Sequence, residues 1–261
     1  MDLGINGKTA LVLGAGGGLG RAIAASLANN GAKIAVADIE PKSIAETEAA
    51  LAGRGGSSIG VVWDLADLAQ IDGHILMIEA ELGPIDILVN NTGGPPPTPA
   101  AGQDPALWSK HFQAMVLSVI AITDRVLPGM RERRWGRIIT STSSGVVAPI
   151  SNLGISNALR LALVGWSKTL AREVGRDGVT ANIILPGRIA TDRIRFLDAT
   201  KAEREGRAVE DVMAESTDSI PLGRYGRPEE YGDVVAFIAS ERAAYLTGSV
   251  IRVDGGLIPS I

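Results

Sequence analysis

The hydrophobic positions of this chain fall into short continuous runs, which alternate with longer stretches of mixed polarity. The runs are apolar throughout, as expected of strands covered on both faces. They predict the strands Thr9–Leu13, Lys33–Ala37, Ser58–Trp63, Ile85–Asn90, Gly136–Ser141, Thr180–Leu185 and Ser249–Val253. The stretches between them have helical patterning. They predict helices that include Leu19–Asn29, Pro41–Leu51, Ala66–Glu81, Trp108–Arg134 and Ser156–Val174.

This alternation of strand and helix is typical of βαβ units, so it predicts an α/β fold with a parallel sheet. We see no internal repeat or linker and expect one domain over residues 1–261. The Pro/Gly-rich segment 93–99 follows a strand and predicts a stiff loop at the carboxyl edge of the sheet. Segment 195–219 is charged and weakly patterned, which fits either a mobile substrate lid or a solvated pair of helices.

The composition narrows the function. The 261 residues are 46% hydrophobic and 21% charged, with a net charge of −4, so no basic excess favours nucleic acid as a partner. The chain has no cysteine and two histidines, which argues against thiol chemistry and a metal site. Its N-terminus lacks a signal-peptide pattern, and runs such as 34–37 and 85–89 are too short to cross a bilayer. We expect a cytoplasmic protein with no membrane partner.

A glycine-rich turn, Gly14–Gly20, links the first predicted strand to the first predicted helix. Glycines let backbone N–H groups approach a diphosphate, and the helix N-terminus adds a favourable dipole. The pattern G-x-G-x-x-G fails because its third glycine falls on Leu19, whereas G-x-x-x-G-x-G fits Gly14, Gly18 and Gly20. The turn predicts a dinucleotide site; a tight connection without a ligand is the alternative.

Asp38 ends the second predicted strand, 18 residues beyond Gly20. A carboxylate at this position binds the adenosine ribose hydroxyls in dinucleotide folds. It would also repel a 2′-phosphate, and the turn carries Gly17 where a basic side chain would attract one. The sequence therefore favours NAD over NADP, with an ordinary strand-end turn residue as the alternative for Asp38.

With these features the chain resembles the short-chain dehydrogenase/reductase family, nearest its 3-oxoacyl-acyl-carrier-protein reductase-like branch. The resemblance runs from about Gly7 to Gly256. Its further motifs are Trp63-Asp64-Leu65, Asn90-Asn91-Thr92-Gly93, Gly136-Arg137-Ile138-Ile139, Pro186-Gly187 with Thr191, Pro221-Leu222-Gly223-Arg224, Leu246-Thr247-Gly248 and Val253-Asp254-Gly255-Gly256. It implies a Rossmann-type three-layer sandwich with a doubly wound, seven-stranded parallel sheet.

The resemblance also implies roles for individual residues. Asp64 would bind the adenine ring, and Ile189 and Thr191 would meet the nicotinamide carboxamide and its neighbouring phosphate. It implies a homotetramer held partly by the helices 108–134 and 156–174. The implied cofactor-binding set is Gly14, Gly18, Leu19, Gly20, Asp38, Asp64, Leu65, Asn90, Gly93, Arg160, Pro186, Gly187, Ile189 and Thr191.

The catalytic positions of the family do not match. Its reaction uses a tyrosine that transfers a proton, a lysine that lowers the pKa of that tyrosine, a serine that binds the carbonyl oxygen and an asparagine that supports a water relay. Alignment on 136–139 places the serine at Ser143, with Ser156 in the tyrosine position, Arg160 in the lysine position and Met115 in the asparagine position. The hydroxyl residues next to Ser143, which are Ser141, Thr142 and Ser144, leave the serine position open by one residue. Serine is no acid near pH 7, and arginine does not release its proton.

Other groups could take over part of the chemistry. His111 lies four residues before Met115 and so shares its helical face, where it is either an acid/base group or a structural residue. Arg188 could anchor an anionic substrate or form a surface ion pair, and Asp192 and Arg193 could line the substrate cleft. His74 reads as a surface residue.

Two functions follow from these observations. The first is an NAD(P)(H)-dependent oxidoreductase acting on an unidentified small carbonyl or alcohol, with Ser143, Ser156 and Arg160 as its catalytic residues. The second is a dinucleotide-binding or scaffold homologue that has lost catalysis. A hydrolase or lyase has little support because no Ser–His–acid pattern is apparent.

Overall fold

The computed structural model describes residues 2–261. Its central feature is a seven-stranded sheet with the order β3-β2-β1-β4-β5-β6-β7, in which every neighbouring pair is parallel. The strands are β1 (Thr9–Leu13), β2 (Lys33–Asp38), β3 (Ser58–Val62), β4 (Ile85–Asn90), β5 (Gly136–Ser141), β6 (Val179–Pro186) and β7 (Val250–Val253). The seven predicted strands and the Rossmann-type fold class are confirmed.

Strand order reverses between β1 and β4, because the chain builds outward from β1 to β3 and then crosses back to β4. In open α/β sheets such a switch point leaves a crevice outside the carboxyl ends of the strands, where ligands bind. The topology therefore places a site beside the ends of β1 and β4.

Helices cover both faces of the sheet. They are α1 (Gly18–Asn29), α2 (Pro41–Leu51), α3 (Ile71–Leu82), α4 (Pro105–Phe112), α5 (Ser118–Glu132), α6 (Gly154–Val174), α7 (Asp192–Glu205), α8 (Val209–Asp218) and α9 (Pro228–Ile238). One core layer holds residues of α1, α2 and α9, and the opposite layer holds residues of α3, α5 and α6.

Burial on both faces explains why the inner strands are apolar throughout. In β1, Ala10 and Val12 point into one core layer, whereas Leu11 and Leu13 point into the other. The edge strands differ because each has one neighbour: most residues of β3 and β7 are exposed or half-buried.

The predicted long helix 108–134 is not one regular helix. It begins earlier, at Pro105 after the capping residue Asp104, and five residues of π-helix, Gln113–Leu117, separate α4 from α5. The sequence prediction also missed α9, which begins at Pro228 and where the Glu230 carboxylate accepts a hydrogen bond from the N-cap amide of Arg227 at 2.7 Å.

The helical stretch 105–132 has the length and mean hydropathy, 1.2, that a membrane span would need. However, 44% of its most apolar window is buried inside the protein, with Met115, Val119 and Ile122 in the core clusters. Core helices of soluble proteins pass the same test, so this finding is weak evidence for a membrane span.

Two segments near the carboxyl edge of the sheet, each the subject of a separate sequence-based prediction, have defined structures. Loop 93–99 is tied to the start of α6, because Thr98 N–H donates to Asn152 O and Gly154 N–H donates to Thr98 O, both at 2.9 Å. Segment 195–219 forms most of α7 and all of α8. Glu215 of α8 forms ion pairs with Lys201 of α7 at 2.9 Å and with Arg207, which lies between the two helices.

Candidate functional site

A cavity of about 910 Å³ lies at the carboxyl edge of the sheet. It extends from the turn after β1 to the loop after β5 and the first residues of α7. Most of the predicted site residues line it: Gly14, Gly18, Leu19, Asp38, Asp64, Leu65, Gly93, Ser143, Ser156, Arg160, Pro186, Gly187, Ile189 and Thr191. Its position is the switch point of the topology.

Glycine is required at several positions of the turn. Gly14 and Gly18 have φ angles of +58° and +52°, which other residues rarely adopt. A Cβ atom on Gly20 would overlap the Gly14 carbonyl oxygen, so Gly20 allows α1 to pack closely on the turn. It does not line the cavity, which differs from the predicted contact with the dinucleotide.

The N-terminus of α1 fits a diphosphate. Its N-cap residue, Gly17, offers no side chain to cap the first turn, and no acidic residue lies in that turn. Gly17, Gly18 and Leu19 all line the cavity. Uncapped N–H groups at the positive end of a helix are an anion-binding arrangement, so the turn suits the diphosphate of a dinucleotide.

Asp38 is held in place at the end of β2. Its Oδ2 accepts a hydrogen bond from Gly16 N–H at 2.9 Å, and its Oδ1 accepts one from Glu40 N–H at 3.2 Å. A Cβ atom on Gly16 would lie 2.8 Å from the carboxylate, so the bare backbone at Gly16 permits this contact. The carboxylate lines the cavity with a fixed orientation and a negative charge.

The remaining wall of the dinucleotide half comes from distant parts of the chain. Asp64 Oδ1 accepts from Ala66 N–H at 2.9 Å, beside the buried ring of Trp63, and both residues line the cavity. On the other side, Thr191 caps α7 by accepting from Ile194 N–H, and its methyl group lies 3.5 Å from where a Cβ on Gly18 would stand.

Asn90 lies outside the cavity, although the resemblance assigned it to the cofactor. It is buried, and its Nδ2 donates to Thr123 Oγ1 and Thr140 Oγ1, both at 3.3 Å, so it joins β4, α5 and β5. Asn91 lines the cavity instead. Its Nδ2 donates to the carbonyl oxygens of Leu13 and Gly14 at 3.3 and 3.2 Å, which anchors the glycine turn.

Ser143 lies in the loop that follows β5. Its Oγ accepts a hydrogen bond from Gly145 N–H at 3.1 Å, which leaves its own hydroxyl proton free to be donated into the cavity. The loop packs against the start of α6, since a Cβ on Gly145 would overlap Asn157 Oδ1. This close approach brings Ser143 and Ser156 to the same cavity.

Arg160 is a buried cation on α6, one turn beyond Ser156. Its guanidinium donates to the main-chain carbonyls of Thr92 at 3.3 Å, Gly93 at 3.0 Å and Ser141 at 3.5 Å. Burial, together with the charge of Arg193, lowers the pKa of Arg160 to about 10, so it remains charged at neutral pH. Met115 is buried and lines the cavity from the π-helical turn.

Tyr231 is a neighbour of the site that the sequence did not reveal. It belongs to α9 and is fully buried, and its hydroxyl oxygen lies 2.8 Å from Ser141 Oγ. Burial raises the pKa of Tyr231, so it is a neutral phenol beneath the cavity wall at neutral pH. A buried tyrosine late in the chain gives no sequence signal for this position.

The other candidates occupy different surroundings. His111 lines the cavity. Its pKa is lowered mainly by burial and, to a smaller extent, by the positive charge of Lys110. Arg188 lines the cavity and forms an ion pair with Asp198 at 2.7 Å. Because Asp198 is buried, this pair is not the surface ion pair given as the alternative. His74 is half-buried rather than on the surface, because its ring packs on Trp63 with 4.8 Å between centroids.

Comparison with known proteins identifies relatives over nearly the whole chain. The profile of the protein family described as Enoyl-(Acyl carrier protein) reductase matches residues 14–258. Nodulation protein G of Azospirillum brasilense is 37% identical over 255 residues, covering 96% of this chain and 98% of the relative. The 3-oxoacyl-[acyl-carrier-protein] reductase FabG of Escherichia coli (strain K12) is 37% identical over 257 residues, covering 98% of this chain and 99% of the relative.

A solved structure gives the same result in three dimensions. L-sorbose reductase from Gluconobacter frateurii, complexed with NADPH and L-sorbose, superposes with a TM-score of 0.93 at 31% identity and covers 100% of both chains. The family suggested by the motifs is confirmed.

Proposed function

Because this chain belongs to the short-chain dehydrogenase/reductase family, we propose that it is an oxidoreductase that uses a nicotinamide dinucleotide to interconvert carbonyl and alcohol groups. The observation that carries the proposal is the continuity of one cavity from the uncapped start of α1 to Ser143. Its relatives include a reductase of 3-oxoacyl groups and one solved with L-sorbose.

Gly14, Gly18, Leu19 and Thr191 would hold the diphosphate, and Asp38 would bind the adenosine ribose. When bound, the dinucleotide supplies hydride exchange at its nicotinamide ring. Ser143 would donate a hydrogen bond from its hydroxyl to the substrate oxygen and so orient the carbonyl. The positive charge of Arg160 lies in the same cavity and would favour a substrate that carries or develops negative charge.

The proton of the reaction comes from water in this proposal. Ser156 is too weak an acid to release a proton near pH 7, and Arg160 keeps its proton. Ser156 is buried but lines the cavity, and His111, whose pKa is lowered by burial, lines the same cavity. Segment 195–219 would cover the substrate, since Leu197 and Lys201 of α7 and Ser219 also line the cavity.

Within this proposal NAD is preferred over NADP. The oriented carboxylate of Asp38 would repel a 2′-phosphate, and Gly17 provides no positive charge. This preference is opposite to the NADPH found with the L-sorbose reductase.

Calorimetry with NADH, NAD, NADPH and NADP tests the cofactor site, and we expect NADH or NAD to bind more tightly than the phosphorylated forms. The rate with a panel of carbonyls, imines and alcohols tests catalysis. Ser143→Ala should lower that rate by about 100-fold while NADH affinity stays unchanged, because loss of one oxyanion donor has this size. Ser144→Ala is the matched control.

No binding of any of the four dinucleotides would contradict the whole proposal. Binding without turnover of any substrate in the panel would favour the second candidate, a dinucleotide-binding homologue without catalysis. The replacements Ser156, Arg160 and Met115 are the observation that supports that candidate.

We also propose that the chain forms a homotetramer in the cytoplasm, with α5 and α6 in one of its interfaces. Three apolar side chains are exposed on the helices 105–132 and 154–174: Phe112 at the end of α4 (44%), Leu117 in the π-helical turn (38%) and Leu161 on α6 (52%). Leu117→Glu combined with Leu161→Glu should lower the mass measured by light scattering, because buried charges destabilise an apolar interface. An unchanged mass would exclude this surface; Leu76→Glu, an exposed leucine on α3, is the control.

A further inference from the structure

Two arginines from different helices face one point of the cavity. Arg160 reaches this point from α6 and Arg193 from the first turn of α7. The Nη2 atoms of both residues lie 3.4 Å from the position that a Cβ atom on Gly94 would occupy. The two positive charges are therefore brought together beside the backbone of Gly94.

Neither guanidinium has a carboxylate partner within residues 2–261. Arg160 donates to three main-chain carbonyls, and Arg193 donates through Nη2 to Pro95 O at 2.7 Å. By contrast, Arg188 and Arg133 pair with Asp198 and Asp86. Carbonyl oxygens satisfy N–H groups but do not neutralise charge, so the buried charge of Arg160 and the half-buried charge of Arg193 have no carboxylate partner.

The acidic groups of the cavity lie elsewhere. Asp38 and Asp64 line the dinucleotide half. Asp192 also lines the cavity, but it is exposed and already pairs with Arg195. An anion that entered from solvent would be the natural partner of the arginine pair. Bidentate guanidinium geometry suits a carboxylate.

Part of the wall of the same cavity is apolar. Its residues come from loop 93–99, the π-helical turn, the loop before α6, helix α7 and the C-terminal segment: Pro97, Ala114, Met115, Ile150, Leu153, Leu197, Leu257 and Ile258. A ligand with one carboxylate and a hydrocarbon body matches a site with two cations and this wall.

We propose that the substrate of this protein is a carbonyl compound bearing a carboxylate, which is held between Arg160 and Arg193 with its hydrocarbon part against the apolar wall. The assignment rests on the proposed reductase function for the carbonyl group, but the carboxylate site itself exists without the dinucleotide. Recognition of the carboxylate places the substrate beside Ser143, which lines the same cavity.

Calorimetry with hexanoate, hexanamide and inorganic phosphate tests the site in the absence of dinucleotide. Hexanoate should bind about tenfold more tightly than hexanamide, a difference of about 1.4 kcal/mol, because charge-assisted hydrogen bonds to a guanidinium are about twice as strong as neutral ones. Equal affinity for the acid and the amide would overturn the proposal. Tighter binding of phosphate than of hexanoate would overturn the assignment to a carboxylate.

Arg193→Gln should weaken hexanoate binding about tenfold or more while the affinity for NADH stays within about twofold. Arg195→Gln is the matched control: it removes an exposed arginine two residues along α7 whose partner is Asp192. An equal loss in both variants, or no loss in either, would overturn the proposal. Failure of NADH binding in the unmodified protein, with hexanoate binding retained, would count against the reductase function alone.

Gly94→Asp provides a second variant that does not remove an arginine. Its carboxylate would stand beside both guanidinium groups, where a Cβ atom has only ordinary contacts. This internal anion should raise the melting temperature and abolish hexanoate binding. A lower melting temperature with hexanoate binding intact would contradict an anion site at this point.

Discussion

Asp38→Ser combined with Gly17→Arg is expected to shift the ratio of the dissociation constants for NADH and NADPH by about 100-fold toward NADPH. Removing the Asp38 carboxylate removes a repulsion on the 2′-phosphate and frees the N–H groups of Gly16 and Glu40 to donate to it. Arginine fits at position 17 because a Cβ atom there meets no atom within 4 Å.

Glu40→Gln is the matched control for this double variant. Glu40 is an exposed acid two residues from Asp38 that caps α2, so its charge lies nearby without the same contact to Gly16. The control should leave the ratio within about twofold because solvent screens an exposed charge. A ratio that shifts equally in the control, or unmodified protein that binds NADPH more tightly than NADH, would contradict the role given to Asp38.

Ser156→Tyr combined with Arg160→Lys is expected to raise the rate of carbonyl reduction by about 100-fold or more, the usual size of general acid catalysis. The variant restores a phenol beside an ammonium group, which lowers the phenol pKa toward neutrality. The serine already lines the cavity, and Arg160 lies one helical turn further along α6. The rate should therefore become pH-dependent, reporting the new tyrosine.

Ser156→Phe combined with Arg160→Lys is the control, because it adds the same ring without the hydroxyl. NADH affinity must be measured in both variants so that a damaged cofactor site is recognised. Equal rates in the two variants, with NADH bound normally, would show that the active site is remodelled beyond these two positions. Met115, in the π-helical turn, would then be the next position to restore to asparagine.

The seven strands and the glycine turn were predictable because their causes are local. Strands covered on both faces are apolar at every position, and this rule holds for β1 and β4, where every residue is buried. It was less accurate for the edge strand β3, whose prediction included Trp63 although the strand ends at Val62. Helix α9 was missed although Pro228 and Glu230 are helix-start signals.

Candidate site residues were predicted with mixed outcome. Matching to the family motifs predicted Ser143, Ser156 and Arg160 as site residues, and all three line the cavity. It assigned the cofactor contact to Asn90, whereas Asn91 lines the cavity and Asn90 is buried between strands and a helix. In a parallel strand that is buried on both faces, periodicity does not tell which of two adjacent asparagines reaches the edge.

The amino-acid sequence was sufficient for the α/β class, and it predicts a phosphate-binding turn and the replacement of the usual acid/base pair, because each depends on residue identity at short spacing. Only the tertiary structure decided that Arg193 lies beside Arg160, that Arg188 is already paired with Asp198, and that Tyr231 lies beneath Ser141. These contacts join elements far apart in the chain. Their charges and burial depend on how the helices pack on the sheet, which no local pattern encodes.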